Sequence, residues 1–438
     1  MSMAEVETSG IRSSVFRMGL PAAAAMFAGT LYAPIDLWCA GRLGTDAVVA
    51  VSFAAPLLFV LMAVSVGLSQ AATSLVARRL GAGDVEAARL TWAHALWLAL
   101  GGGCVLMLLG VWIAPLMLAG QGATADVLRL AGDFSMVIFA GAPAFLLVAS
   151  VNAVLLAEGD GRPNFWFLTF GCLANLGLNF ILMRFWGVAG LAAATVLVQV
   201  GGLIGLFLVA RRRGWRLRGL GSLNLPIFGA LLRQAAPNVL NMLMIPVAVF
   251  LVTRQVAMFG QDAVAAYGFA LRIEHLFSMP LIGFVSSVLP LASRARGAGD
   301  LGEAFRTWLV AVGLAFVASV VFALVLAYLA PDLAGYSGLT GPAPELLVRY
   351  LFFSAVALPA YPVLFSVVFF MQALGRPEYG MWMGLARHCL APLLILPICA
   401  GWFGLQGVWI AITGIAWAAA VVAFGLAMRQ RVPVSRTL

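Results

Sequence analysis

A chain of 438 residues that is 63% AVILMFWYC and only 10% DEKR excludes a string of soluble domains, because a water-facing surface draws on roughly a quarter charged residues. Its net charge of +9 comes from 26 basic residues, all of them Arg, and in so apolar a chain this points to the faces of a membrane rather than to nucleic acid. At ~20 apolar residues per crossing, the composition allows about a dozen helical spans.

Taken in chain order, residues 1–12 read as a cytoplasmic N-terminus, and the acidic start MSMAEVETSG has no basic region of the kind that opens a removable signal peptide. Apolar runs and their breakers predict helices near 13–39, 47–76, 90–118, 128–156, 164–183 and 187–210, a first lobe over 13–210. The polar stretch 211–228, RRRGWRLRGLGSLNLPIF, is a cytoplasmic linker. Helices near 229–256, 263–292, 306–330, 345–373, 380–401 and 405–428 form a second lobe over 229–428, followed by a cytoplasmic tail, 429–438. The fold class is an all-α polytopic membrane protein of about twelve transmembrane helices in two six-helix lobes.

Orientation follows from the arginines. Twenty of the 26 fall on the side that both termini share, among them Arg78, Arg79, Arg211, Arg212, Arg213, Arg218, Arg294, Arg296, Arg387, Arg431 and Arg436. Five fall on the other side (Arg42, Arg129, Arg184, Arg254 and Arg349), and Arg272 lies inside a span. The five cysteines sit in or beside apolar segments without metal-ligand spacing, so they read as buried thiols and no metal centre is expected.

The chain is duplicated. GAGDVEAARLTW (81–92) matches GAGDLGEAFRTW (297–308) at seven of twelve positions, an offset of 216. At about the same offset GTDAVVA (44–50) matches GQDAVAA (260–266), Pro21 matches Pro237, and Gly187 and Gly190 match Gly404 and Gly407. Six helices per copy is an even number, so the copies enter the membrane from the same side, as parallel repeats about an axis along its normal. Such pairs of lobes suit alternating access. In the two GAGD loops, glycine ends one helix while Asp84 or Asp300 caps the next, with Glu303 placed as in a capping box.

One acid does not belong. Asp36 lies inside the first span, where a charge costs ~2.5–3.5 kcal/mol even on the lenient insertion scale. Its repeat partner is Val252, so the fold does not require an acid there. The residue reads as a protonatable or cation-binding carboxylate; the competing reading is an interfacial carboxylate reaching water or Arg42. Tyr32, one turn earlier, shares its face and could hydrogen-bond it. Pro21 and Pro34 each remove a helix hydrogen bond and predispose this helix to bend. Asn152, Asn175, Asn179 and Thr195 are uncharged polar residues of the same half, and Asn175 and Asn179 share a helix face. A second anomaly is Arg272, Glu274 and His275, which reads as an ion pair across helices or a gate latch, with substrate contact or a second proton site as the alternative. His94 and His388 read as structural.

Together these segments resemble the multidrug and toxic compound extrusion (MATE) transporters, and more closely their DinF-like branch. The resemblance rests on Pro21, on DLWCAGRLG from Asp36, and on VARRLGAGDVEAA, GDGRP, NLGLN and GVAGLAAAT. In the second half it rests on GQDAVAAYGFALRIE, ASRARGAGD and ALGRPE. It implies export of amphipathic organic compounds by alternating access, driven by inward flow of H⁺ or Na⁺. By position it makes Asp36 the coupling acid, Pro21 the bending proline, and Tyr32, Asn152, Asn175 and Thr195 their polar companions. Many relatives carry a second acid where this chain has Asn179. A single carboxylate is a poor cage for a hard cation, which favours H⁺ over Na⁺ at Asp36, Asn175 and Asn179.

The resulting expectation is a secondary active transporter, not an enzyme, with no cofactor beyond the coupling ion. It would be a monomer with both termini cytoplasmic in the cell (inner or plasma) membrane, whose partners are small amphipathic molecules and the bilayer rather than nucleic acid. The alternative is a lipid or lipid-linked oligosaccharide flippase of the same superfamily. No Walker motif, HExxH or Ser/His/Asp set is present, and LVARRLGAGD differs from the basic loop of the major facilitators.

Overall fold

The computed structural model describes residues 3–119, 124–216 and 224–430. Arg218, Arg431 and Arg436, with residues 217–223 of the linker and 431–438 of the tail, lie outside the described residues. Within them the chain is helical: α1 (Met3–Thr30), α2 (Tyr32–Gly41), α3 (Thr45–Gly81), α4 (Val85–Ala119), α5 (Ala125–Ala140), α6 (Ala142–Ala157) and α7 (Arg162–Arg212). Then follow α8 (Leu225–Ala257), α9 (Gln261–Val285), α10 (Val288–Gly297), α11 (Leu301–Gly335), α12 (Ala343–Ala357), α13 (Ala360–Ala373), α14 (Glu378–Gly384), a π-helical turn (Leu385–Leu390) and α15 (Ala391–Met428).

Length converts these elements into crossings. Eight stretches are long and apolar enough to span a membrane, and the pairs α5–α6 and α12–α13 pass the same test as spans bent by 44° and 45°. Two of the eight, 162–212 and 378–428, are 51 residues long. At ~1.5 Å per residue each is more than twice the ~30 Å of a bilayer core. Each reverses at a glycine that only a residue without Cβ tolerates: Gly187 (φ 54°, ψ −129°) and Gly404 (φ 60°, ψ −143°). Three residues on, a Cβ on Gly190 would meet Leu182 O at 2.3 Å, and one on Gly407 would meet Cys399 O at 1.9 Å. Counting each of these as two crossings gives the twelve that the sequence predicts.

Prolines explain where spans break. Interruptions at Leu31, Gly141, Ser286–Ser287 and Leu358 each precede a proline (Pro34, Pro143, Pro290, Pro359) by one to four residues. There the ring excludes the carbonyl four residues back and supplies no N–H. Pro21 does not act this way: α1 runs through it, and the discontinuity in the first span belongs to Pro34.

The repeat extends to side chains. Trp92 and Trp308 are both fully buried; their indole N–H groups donate to Ser150 O at 3.2 Å and Ser366 Oγ at 3.1 Å. Gly83 and Gly299 close α3 and α10 at φ 77° and 84°, and Asp84 and Asp300 accept from Ala87 N and Glu303 N at 2.8 and 2.7 Å. The return bond of a capping box is absent at Asp300, whose N–H goes to Ala295 O.

Packing divides the chain into two compact units, 24–239 and 240–438 with 1–23. The division runs through α1 and α8 rather than through the linker, for steric reasons visible within each unit. In the first unit, Gly67 lets α8 approach α3 so closely that a Cβ there would lie 2.5 Å from Val239, and Gln234 donates to Ser74 Oγ at 2.8 Å. In the second unit, Gly19 admits Phe284 against α1, and Phe16 meets the same ring edge-on at 5.8 Å. His94 also fastens the start of α8, accepting from Asn224 N at 2.9 Å.

Candidate functional site

In the first unit, α2 carries Asp36 to a buried position against α7. Asn179 donates to Asp36 Oδ1 at 2.8 Å and also to Asn175 Oδ1 at 3.1 Å; Asn175 donates in turn to Thr195 Oγ1 at 3.1 Å. The chain ends where Thr195 donates to Leu191 O at 3.3 Å. Asn175 and Asn179 face Asp36 because they lie one turn apart on α7, while Thr195 arrives from the same helix after its reversal at Gly187. Asn175 and Thr195 also lie close enough to act on the Asp36 carboxylate, while Asn179 Oδ1 is buried without a hydrogen-bond partner. The site therefore holds one carboxylate, two amides and one hydroxyl, with acceptor oxygens in excess of donors. Such a set can take up a proton and answer it by turning over one amide.

The other expected companions sit elsewhere. Tyr32 reaches Leu168 O at 3.4 Å over the bare backbone of Gly171, where a Cβ would lie 2.2 Å from the hydroxyl, and it does not bond Asp36. Asn152 donates to Asn164 Oδ1 at 2.9 Å and stays outside the Asp36 chain, because its helix α6 faces the start of α7 rather than its middle. Arg42 does not pair with Asp36: its guanidinium stacks on Trp38 and Phe180, 4.5 and 5.1 Å from the ring centroids.

The second unit holds a second buried polar cluster, around Glu274 of α9. Tyr350 donates to Glu274 Oε2 at 2.8 Å and Tyr361 donates to Oε1. No ion pair across helices forms at Arg272 or Glu274 among the described residues: Arg272 is exposed, and Glu274 takes tyrosine hydroxyls instead. His275 returns to Leu271 O at 2.9 Å. Glu274 and His275 line a cavity of about 190 Å³ together with Tyr267, Tyr350, Tyr361, Arg387 and His388. Arg387 therefore lies in a cavity wall within a span rather than among the arginines outside the membrane, and His388 lines the same cavity. Their signal in the sequence is an Arg-His pair inside the apolar run 380–401, and three of the chain's seven tyrosines converge on this one acid's surroundings. What could not be read is the π-helical turn that carries both residues.

Among the described residues no group of three His, Cys, Asp or Glu side chains could hold a metal ion.

Comparison with known proteins gives the geometry its context. The family model MatE matches this chain twice, over residues 21–181 and 237–397, one match per copy of the repeat. A FAD transporter of Shewanella oneidensis is 27% identical over 92% of this chain and 91% of its own. A probable multidrug resistance protein, NorM, of Thermotoga maritima is 24% identical over 70% of this chain and 68% of its own. An outward-facing structure of a multidrug resistance MATE transporter of the MOP superfamily superposes with a TM-score of 0.91 at 25% identity, covering 96% of both chains. With both halves matched and the twelve-crossing fold shared end to end, the chain is a multi-pass membrane protein of the MatE family.

Proposed function

We propose that this protein is a proton-coupled antiporter of the DinF-like branch, exporting amphipathic organic compounds across the cell membrane with both termini in the cytoplasm. The observation that carries the reading is the state of Asp36. It is buried among neutral polar groups, accepting from the Asn179 amide with Asn175 and Thr195 beside it, and forms no ion pair among the described residues. A proton arriving from outside would turn the carboxyl into a donor, for which Asn179 Oδ1 is an unused acceptor once the amide turns over. The change would pass along Asn175 to Thr195 and bias α7 against α2. Proton and substrate then favour opposite states, and reciprocal coupling between the two occupancies drives exchange. Sodium fits less well, since one carboxylate and neutral oxygens leave a hard cation short of charge compensation.

The test is efflux of ethidium from vesicles reconstituted with the full chain, under an imposed pH gradient or a sodium gradient alone. Wild-type protein is expected to respond to the pH gradient, and Asp36→Asn to fall to the level of protein-free vesicles. Full activity on sodium alone would replace H⁺ by Na⁺, and pH-driven efflux by inserted Asp36→Asn would remove the acid from the mechanism.

A second reading of the cargo is supported by the relative named a FAD transporter, which aligns over nearly the whole chain. On that reading the exported compounds extend to flat, acidic, nucleotide-like solutes, with the same coupling at Asp36.

A further inference from the structure

The sequence of the second unit places a guanidinium, five N–H donors on one planar fork, in the wall of the cavity that Glu274, His275 and His388 also line. Among the described residues Arg387 makes no hydrogen bond and no ion pair. Its one recorded contact of this kind is a cation–π approach, 5.2 Å from its Cζ to the Tyr361 ring. That contact offsets only part of what a charge costs inside a bilayer. Glu274 attracts the guanidinium across the cavity but gives its N–H groups no hydrogen bond, its oxygens accepting the tyrosine hydroxyls instead. The backbone is arranged to keep the charge there. A Cβ on Gly384 would lie 2.0 Å from Asn241 Oδ1, so α14 comes hard against α8 before the chain enters the π-helical turn that bears Arg387 and His388. Turns of that kind concentrate at functional sites.

We propose that this cavity binds an organic anion: a carboxylate, sulfonate or phosphate monoester seated on Arg387, its flat or apolar body against Val249, Leu396, Ile412 and the rings of Tyr267 and Phe365. The sign of the ligand follows from the unused donors: each Glu274 oxygen already accepts a tyrosine hydroxyl, whereas an anion meets a fork with no hydrogen bond, whose geometry matches its two oxygens. Size is limited as well. About 190 Å³ is below the roughly 300–1,000 Å³ of sites that enclose drug-sized ligands. The cavity therefore takes a one- or two-ring acid, or the acidic end of something larger. The site lies wholly within the second unit and is independent of proton coupling at Asp36.

Equilibrium dialysis of radiolabelled 2-naphthoate and its neutral isostere 2-naphthamide against the full chain in nanodiscs, with empty nanodiscs subtracted, tests this without any gradient. Wild-type protein is expected to bind the naphthoate about tenfold or more tightly than the amide, the scale of a charge-assisted hydrogen bond. Arg387→Gln should bring the two within about twofold of each other, and Arg387→Lys should keep part of the preference. Should Arg387→Gln fold poorly, Glu274→Gln/Arg387→Gln, which removes both charges together, serves instead and should also lose the preference. Equal binding of the two probes by wild-type protein, or a preference that survives in a folded variant lacking Arg387, would overturn the proposal.

Discussion

Asp36, in the unit of residues 24–239, accepts one hydrogen bond, from an amide; Glu274, in the unit of residues 240–438, accepts two, from tyrosine hydroxyls, beside an arginine stacked on one of those rings. The frames around them are copies down to the buried tryptophans and the glycines at φ 54° and 60°. At the repeat offset Asp36 corresponds to Val252, a core residue, and Glu274 to Leu58, which packs against the core of its own unit. Duplication supplied one scaffold, and each copy then acquired its own polar equipment. The first acid is under-bonded, so its charge can change at little structural cost. Structure is built around the second, so removing it strands what was built.

That contrast can be broken at several points. Asn179→Asp would place a second carboxylate beside Asp36 and supply the charge a sodium ion lacks there. Efflux by this variant should become responsive to a sodium gradient, and indifference to sodium would mean that the amides, not the missing acid, set ion choice. Glu274→Ala should lower unfolding stability in detergent by about 2–5 kcal/mol, because two buried hydroxyls and a guanidinium lose their setting together. Protein that survives should keep the pH dependence of the wild type. Gly187→Ala and Gly404→Ala should each cost about 1–3 kcal/mol through strain at positive φ. Unequal losses would show that the copies are less alike than their backbones.

The smallest effect lies outside the membrane. Arg213, just beyond α7, donates to Asp160 Oδ2 at 2.6 Å and to Glu158 Oε2 at 3.1 Å. Burial pushes the Asp160 carboxyl up, but the Arg213 hydrogen bond, the Arg162 N–H and both arginine charges outweigh it and hold the group below its ordinary value. A carboxylate lowered by folding stabilises above its unfolded value of ~3.9, and that contribution is lost as pH falls through the folded value. With side chains about a third exposed, the pair is worth no more than about 1 kcal/mol. The stability difference between wild type and Asp160→Asn should therefore be present at pH 6 and close progressively below pH ~4. A difference that persists in strong acid would assign the effect to packing.

Much of this was legible beforehand. Apolar runs marked the crossings, because a bilayer leaves helices few alternatives, and a 216-residue offset marked the duplication through glycines that carry positive φ. Asp36, Asn175, Asn179 and Thr195 could be grouped because a lone acid in a span must find polar neighbours. Tyr32 and Asn152 misled for one reason: helical spacing fixes which residues share a face, not which partner helix that face meets. At Pro21 the helix runs on unbroken, and the break in the first span comes ahead of Pro34. Arg387 was hidden by counting it with the cytoplasmic arginines, when an arginine between Ala386 and His388 in an apolar run already needed a reason to be there.

Exchange of proton for substrate at Asp36 is tested most directly by counting protons. Purified protein in weakly buffered detergent solution, mixed with saturating ethidium, should release roughly one proton per ethidium bound, and Asp36→Asn should bind without release. The same proton count from both proteins, or none from wild-type protein that binds ethidium, would contradict it.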